Sequence, residues 1–83
     1  MSTPTTTEYA LCWEAPGDGE DAWVIRVRSP KFPEWDRMFY HPTLGEDDVS
    51  EAKAWAAARL AADGFPVGGW HRDHYGNLIP ESA

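Results

Sequence analysis

The sequence predicts a small two-layer α+β domain: a three-stranded antiparallel sheet with one helix packed on one face and a C-terminal strand or extension, in the order β-β-β-α-β. Three observations predict it. Apolar residues alternate with period two in two early segments. One alanine-rich segment later in the chain repeats its apolar residues at helical spacing between a start and a stop signal. The chain has 83 residues, room for one core and not for two.

Met1 to Thr7 is rich in Ser, Thr and Pro and is expected to fray, leaving residues 8–83 as a single domain. Tyr9, Leu11 and Trp13 alternate with Ala10, Cys12 and Glu14, the pattern of a half-buried strand. Pro16 to Asp21 combines turn formers with three carboxylates and is expected to be a hairpin loop. A second strand follows, with Trp23, Ile25 and Val27 on the core face and Val24, Arg26 and Arg28 on the other. Pro30 and Pro33 interrupt it, because proline cannot donate a ladder hydrogen bond. A third strand is expected over Trp35 to His41 with its register open: Phe39 faces one way, Met38 and Tyr40 the other.

The helix is expected over Val49 to Asp63. Asp48 is placed to cap it, with Glu51 at the third helical position as in a capping box. Gly64 stands where a left-handed residue ends a helix, and Pro66 prevents continuation. Val49, Ala52, Ala56 and Leu60 form a thin apolar stripe whose small side chains let the helix approach the sheet closely. Trp55 falls about 120° from Val49 on an ideal wheel, so it either wraps onto the sheet edge or meets a partner. In the tail, Gly68-Gly69 reads as a flexible joint, Trp70 to Tyr75 as a short strand, Gly76-Asn77 as a turn, and Leu78-Ile79 as a further short strand or a docked end.

Composition narrows the function classes. Fourteen acidic residues against seven basic ones give a net charge of −7, which disfavours general binding of phosphate backbones. Five Trp, three Tyr and three Phe are many for so short a chain, and a surplus exposed aromatic is a candidate contact residue. The single Cys12 excludes an intramolecular disulfide framework. A polar N-terminus and the lack of a run of roughly 20 apolar residues lead us to expect no secretory leader, no membrane contact and a cytoplasmic location.

No motif specific for catalysis stands out. His71, Asp73 and His74, with His41 elsewhere, are the nearest approach to a metal cluster, but on a strand or loop this spacing is common by chance. Cys12 needs an adjacent base to act as a nucleophile, and its place in the first strand suggests a small residue on a sheet face instead. Asp18, Glu20 and Asp21 lack the glycine and the bidentate glutamate of a calcium loop. We therefore expect no enzyme activity, no metal and no cofactor. The expected binding residues are Trp35, Tyr40 and Trp55 with Arg26 and Arg28. The basic zone of Arg26, Arg28, Lys31 and Arg37 suggests either a small nucleic-acid surface or internal salt bridges to the acidic loop or helix.

Tyr9 to Val67 resembles the N-terminal domain of HicB-type antitoxins. The likeness rests on the strand from Tyr9 leading to the acidic Asp18-Gly19 hairpin, and on the aromatic-aliphatic Trp23-Val24-Ile25. It rests also on Pro30-Lys31-Phe32-Pro33 at the spacing of that family's Pro-x-Leu-Pro turn, on the Glu51-Ala52 helix opening, and on the Asp63-Gly64 helix end followed by Pro66. Glu34-Trp35 stands where the family usually has Gly-Cys, and Arg37 to Asp47 is longer than the usual strand and turn. The resemblance implies a β-β-β-α-β domain that covers the active surface of a small ribonuclease toxin. The DNA-binding domain that commonly follows has no counterpart in this sequence, so autoregulation is expected to be lost or supplied elsewhere. The helix segment Glu51-Ala52-Lys53-Ala54-Trp55 is also similar to that of the arm-binding domain of tyrosine recombinases, a domain that is normally basic.

These readings converge on an acidic, non-enzymatic protein-binding module, antitoxin-like or otherwise inhibitory. Its expected partner is a protein, with a basic toxin or nuclease as the leading type. A nucleic-acid-binding accessory domain and a phage-encoded inhibitor of a host defence protein are the alternatives, and a homodimer stays open.

Overall fold

The computed structural model describes residues 5–15, 17 and 19–83. Six elements follow in order: β1 (Glu8–Glu14), β2 (Ala22–Arg28), β3 (Asp36–His41), α1 (Val49–Ala62), β4 (Val67–Arg72) and β5 (Leu78–Ser82). The class is α+β with a single helix, as the sequence predicts, but the antiparallel sheet has five strands and not three, in spatial order β3-β2-β1-β5-β4. The C-terminal segment is a complete hairpin that adds two strands beside β1. The reason lies in two local devices. Gly68 sits at a register shift inside β4, with Val67 opposite Ser82 and Gly69 opposite Glu81, so the Gly-Gly pair is part of a strand and not a joint. Asp73 builds the turn by accepting the backbone N–H groups of Tyr75 (3.0 Å) and Asn77 (2.9 Å), with Gly76 at φ +86°.

β1 and β2 pair over their full length, from Glu8 opposite Arg28 to Glu14 opposite Ala22. The loop joining them includes positions 16 and 18, and these, with residues 1–4, lie outside the described residues. β3 pairs with β2 through a bulge: Phe39 lies opposite Ile25, yet Arg37 lies opposite Arg26. The extra residue, Met38, breaks the two-residue period, so Met38 and Phe39 both pack against the core while Arg37 and Tyr40 stand opposite Arg26 and Val24. This resolves the register that alternation alone leaves open.

The core lies between the helix and one sheet face. Leu11, Trp23, Ile25 and Leu78 from the strands meet Ala52, Ala56 and Leu60 from α1, with Val49, Trp55 and Phe65 at the margins. The helix N-terminus differs from a capping box. Asp48 is the N-cap residue but makes no side-chain cap bond; its Oδ2 accepts the Gly45 N–H at 2.7 Å. That turn turns the Gly45 carbonyl towards Trp23, whose Nε1–H donates to it at 2.7 Å. At the other end, Gly64 takes φ +92°, its N–H donates to the Ala61 carbonyl, and the Phe65 N–H donates to the Leu60 carbonyl at 2.8 Å. This pair of bonds satisfies two of the last helical carbonyls and ends the helix as the Gly64 signal predicts.

Candidate functional site

The sheet face away from the helix is where the sequence-predicted contact residues collect. Period-two alternation along β2 sends Val24, Arg26 and Arg28 there, and the register with β1 places Glu8, Ala10, Cys12 and Glu14 beside them. The floor is made of small residues: Ala10, Cys12, Ala22 and Val24 are all buried. Longer side chains lie across them. Glu14 holds two guanidiniums at once, Arg26 through Nε at 2.9 Å and Arg37 through Nη2 at 2.7 Å, and Glu8 holds Arg28. The Glu14 hydrogen bond pushes the Arg26 pKa higher still, so Arg26 stays charged and committed to its partner. Arg26, Arg28 and Arg37 are thus paired internally, two carboxylates of β1 holding three guanidiniums; among the described residues neither the acidic hairpin nor the helix supplies a partner.

Arg28 has a second engagement. Its guanidinium lies 4.6 Å from the ring centroid of Trp35, a cation–π contact that fixes the ring at the end of the sheet. Trp35 is 37% exposed and Tyr40, on the same face, is 65% exposed. Arg26, Arg28, Trp35 and Tyr40 therefore share one side of the sheet. Trp55 does not join them. It sits half-buried on the helix side, its ring edge-on to His41 with centroids 5.2 Å apart.

Two further aromatics are exposed, and the sequence reading did not select them. Phe32, 69% exposed, is carried on a tight turn in which the Ser29 N–H donates to the Phe32 carbonyl (2.9 Å) and the Phe32 N–H donates to Ser29 Oγ (3.1 Å). Tyr75, 78% exposed, projects from the β4–β5 turn with His74 stacked on it at 4.0 Å. Between Trp35 and Tyr75 opens a cleft of about 530 Å³ whose walls include Tyr9, Phe65 and Arg28. Turn residues carry no periodicity, so only their type could have flagged Phe32 and Tyr75.

The histidines are dispersed. His41 bonds Thr43 Oγ1 (3.0 Å), His71 pairs with Glu81 (3.1 Å) and His74 lies on Tyr75. Among the described residues no three metal-ligating side chains gather. None of the helices in the described residues is long and apolar enough to cross a membrane.

Cys12 lies in the floor with its Sγ 3.8 Å from the Val24 carbonyl. Burial pushes its thiol pKa up, with the positive charge of Arg26 opposing, so at neutral pH it is a protonated thiol and a poor nucleophile. A raised folded-state value favours the protonated form in the fold. Its contribution is fully present below the unfolded pKa of about 8.5 and is lost as pH rises through the higher folded value. We expect Cys12→Ala to flatten the loss of stability as pH rises above about 8.5 relative to wild type. Parallel urea titrations at several pH values measure this, and equal slopes for the two proteins would refute it.

Comparison with protein-family models, with curated proteins and with solved structures finds no match.

Proposed function

We propose that this domain is a non-enzymatic protein-binding module, antitoxin-like or otherwise inhibitory, that presents its open sheet face to a basic protein partner. The observation that carries the reading is the pairing of exposed aromatics with arginines that are already held in ion pairs. Trp35 and Tyr40 offer apolar area of the kind that anchors protein interfaces. Arg26, Arg28 and Arg37 are held by Glu8 and Glu14, which offset two of their three charges, so they have less to offer a phosphate backbone. The net charge of −7 favours rapid encounter with a positively charged surface. The resemblance to HicB-type antitoxins supports the same class and suggests a small ribonuclease as the partner. An inhibitor of a host defence protein, encoded by a phage, belongs to that class too.

The test is co-purification from the native host, identification of the captured protein, and titration of the two purified components. Tyr40→Ala combined with Trp35→Ala should weaken binding by roughly 30-fold or more, the cost of losing an aromatic anchor. Recovery of RNA or DNA in place of a protein, with binding that weakens steeply as salt rises, would support the nucleic-acid alternative and sink this one.

A further inference from the structure

We infer that the domain self-associates as a two-fold dimer in which the Phe32 knob of each copy enters the aromatic cleft of the other. The inference goes beyond the proposed function and does not rest on it. The knob and the cleft are complementary features of one chain. Phe32 stands 69% exposed on a turn closed by two hydrogen bonds and flanked by Pro30 and Pro33, so docking it orders little that is not already ordered. The cleft, about 530 Å³, is walled by Tyr9, Trp35, Phe65 and Tyr75, aromatic surfaces that suit an inserted phenyl ring.

Their adjacency sets the symmetry. Trp35 lines the cleft on one side and the depression beside Phe32 on the other. A two-fold axis near Trp35 therefore brings each knob opposite the other copy's cleft, and the contact is made twice. Charge selects the same place. Lys31 stands beside Phe32 on the knob, its Nζ 5.7 Å from the ring centroid, and Glu8 lies in the cleft wall. Asp73, also at the cleft, complements the incoming Lys31. Because Trp35 belongs to both surfaces, a second copy and the proposed protein partner compete for it.

Sedimentation equilibrium of the full chain over a concentration range up to about 1 mM tests this, since a small interface binds weakly. Wild type should show a concentration-dependent monomer–dimer equilibrium. Phe32→Ser removes the knob and Tyr75→Ser removes one cleft wall, both at exposed positions that leave the fold intact by circular dichroism. Each should weaken dimerisation by roughly 30-fold or more. An equimolar mixture of the two variants should recover part of the association, because knob-bearing and cleft-bearing copies then form one intact contact. Wild type that stays monomeric throughout overturns the inference. So does a dimer indifferent to Phe32→Ser, or one that Tyr75→Ser leaves intact.

Discussion

Replacing Trp23 with alanine is expected to remove most of the domain's stability. Trp23 is 4% exposed and occupies the middle of the core. Truncating a buried aromatic of this size costs about 3–5 kcal/mol, from lost transfer energy and the cavity left behind. A domain of this length has roughly 4–12 kcal/mol in total, so the loss is a large fraction of it. Three structures converge on this one ring. It packs edge-on against Trp13, with centroids 5.8 Å apart. It sits in β2 between β1 and β3. Its Nε1–H also ties β2 to the Gly45 carbonyl in the turn that starts the helix. Trp23→Phe separates these roles. It keeps most of the apolar contact but removes the hydrogen bond, a change of about 1–2 kcal/mol, softened because the Asp48 N–H still donates to Gly45 O. Urea unfolding followed by circular dichroism should rank wild type, Trp23→Phe and Trp23→Ala in that order. An alanine variant within about 1 kcal/mol of wild type would show that the ring is not central to the core.

Much of this fold was legible because it is written in local period. The alternation in 9–13 and 23–25 identified the core faces of β1 and β2, and the Val49-Ala52-Ala56-Leu60 stripe identified the buried face of the helix. The stop at Gly64 was legible because only a residue tolerant of positive φ serves there. What was not legible depends on pairing between distant segments. The bulge at Met38 shows only against β2. The C-terminal hairpin depends on β5 finding β1 across the helix, and on an Asp73 turn that looks in sequence like part of a polar strand. The same distinction governs the site. That Arg26 and Arg28 share a face follows from β2 alone. That they are held in ion pairs follows from the register of β1, which places Glu14 and Glu8 within reach. The acidic hairpin and helix start carry the densest runs of carboxylates in the sequence, whereas the partners come from single glutamates on the neighbouring strand.

Leucine at position 56 is expected to destabilise the domain by about 1–3 kcal/mol, although it adds apolar surface to an apolar site. Ala56 is fully buried, as is Ala52 one turn earlier, and both meet Leu11, Trp23, Ile25 and Leu78 of the sheet. Small side chains at two successive turns set the separation of the layers. A leucine there must either lift the helix or displace the ring of Trp23, and close-packed interiors yield little to either. Ala58→Leu is the internal control. It makes the same chemical change in the same helix but at an exposed position, so its effect should stay within about 0.5 kcal/mol of zero. Helix propensity changes little between alanine and leucine, so it does not separate the two variants. Only the close approach of α1 to the sheet does. If thermal unfolding showed Ala56→Leu to be as stable as Ala58→Leu, the helix would have to stand further from the strands than Ala52 and Ala56 place it. A destabilised Ala56→Leu beside a neutral Ala58→Leu would establish that alanine is selected at the buried positions for its volume and not for its hydropathy.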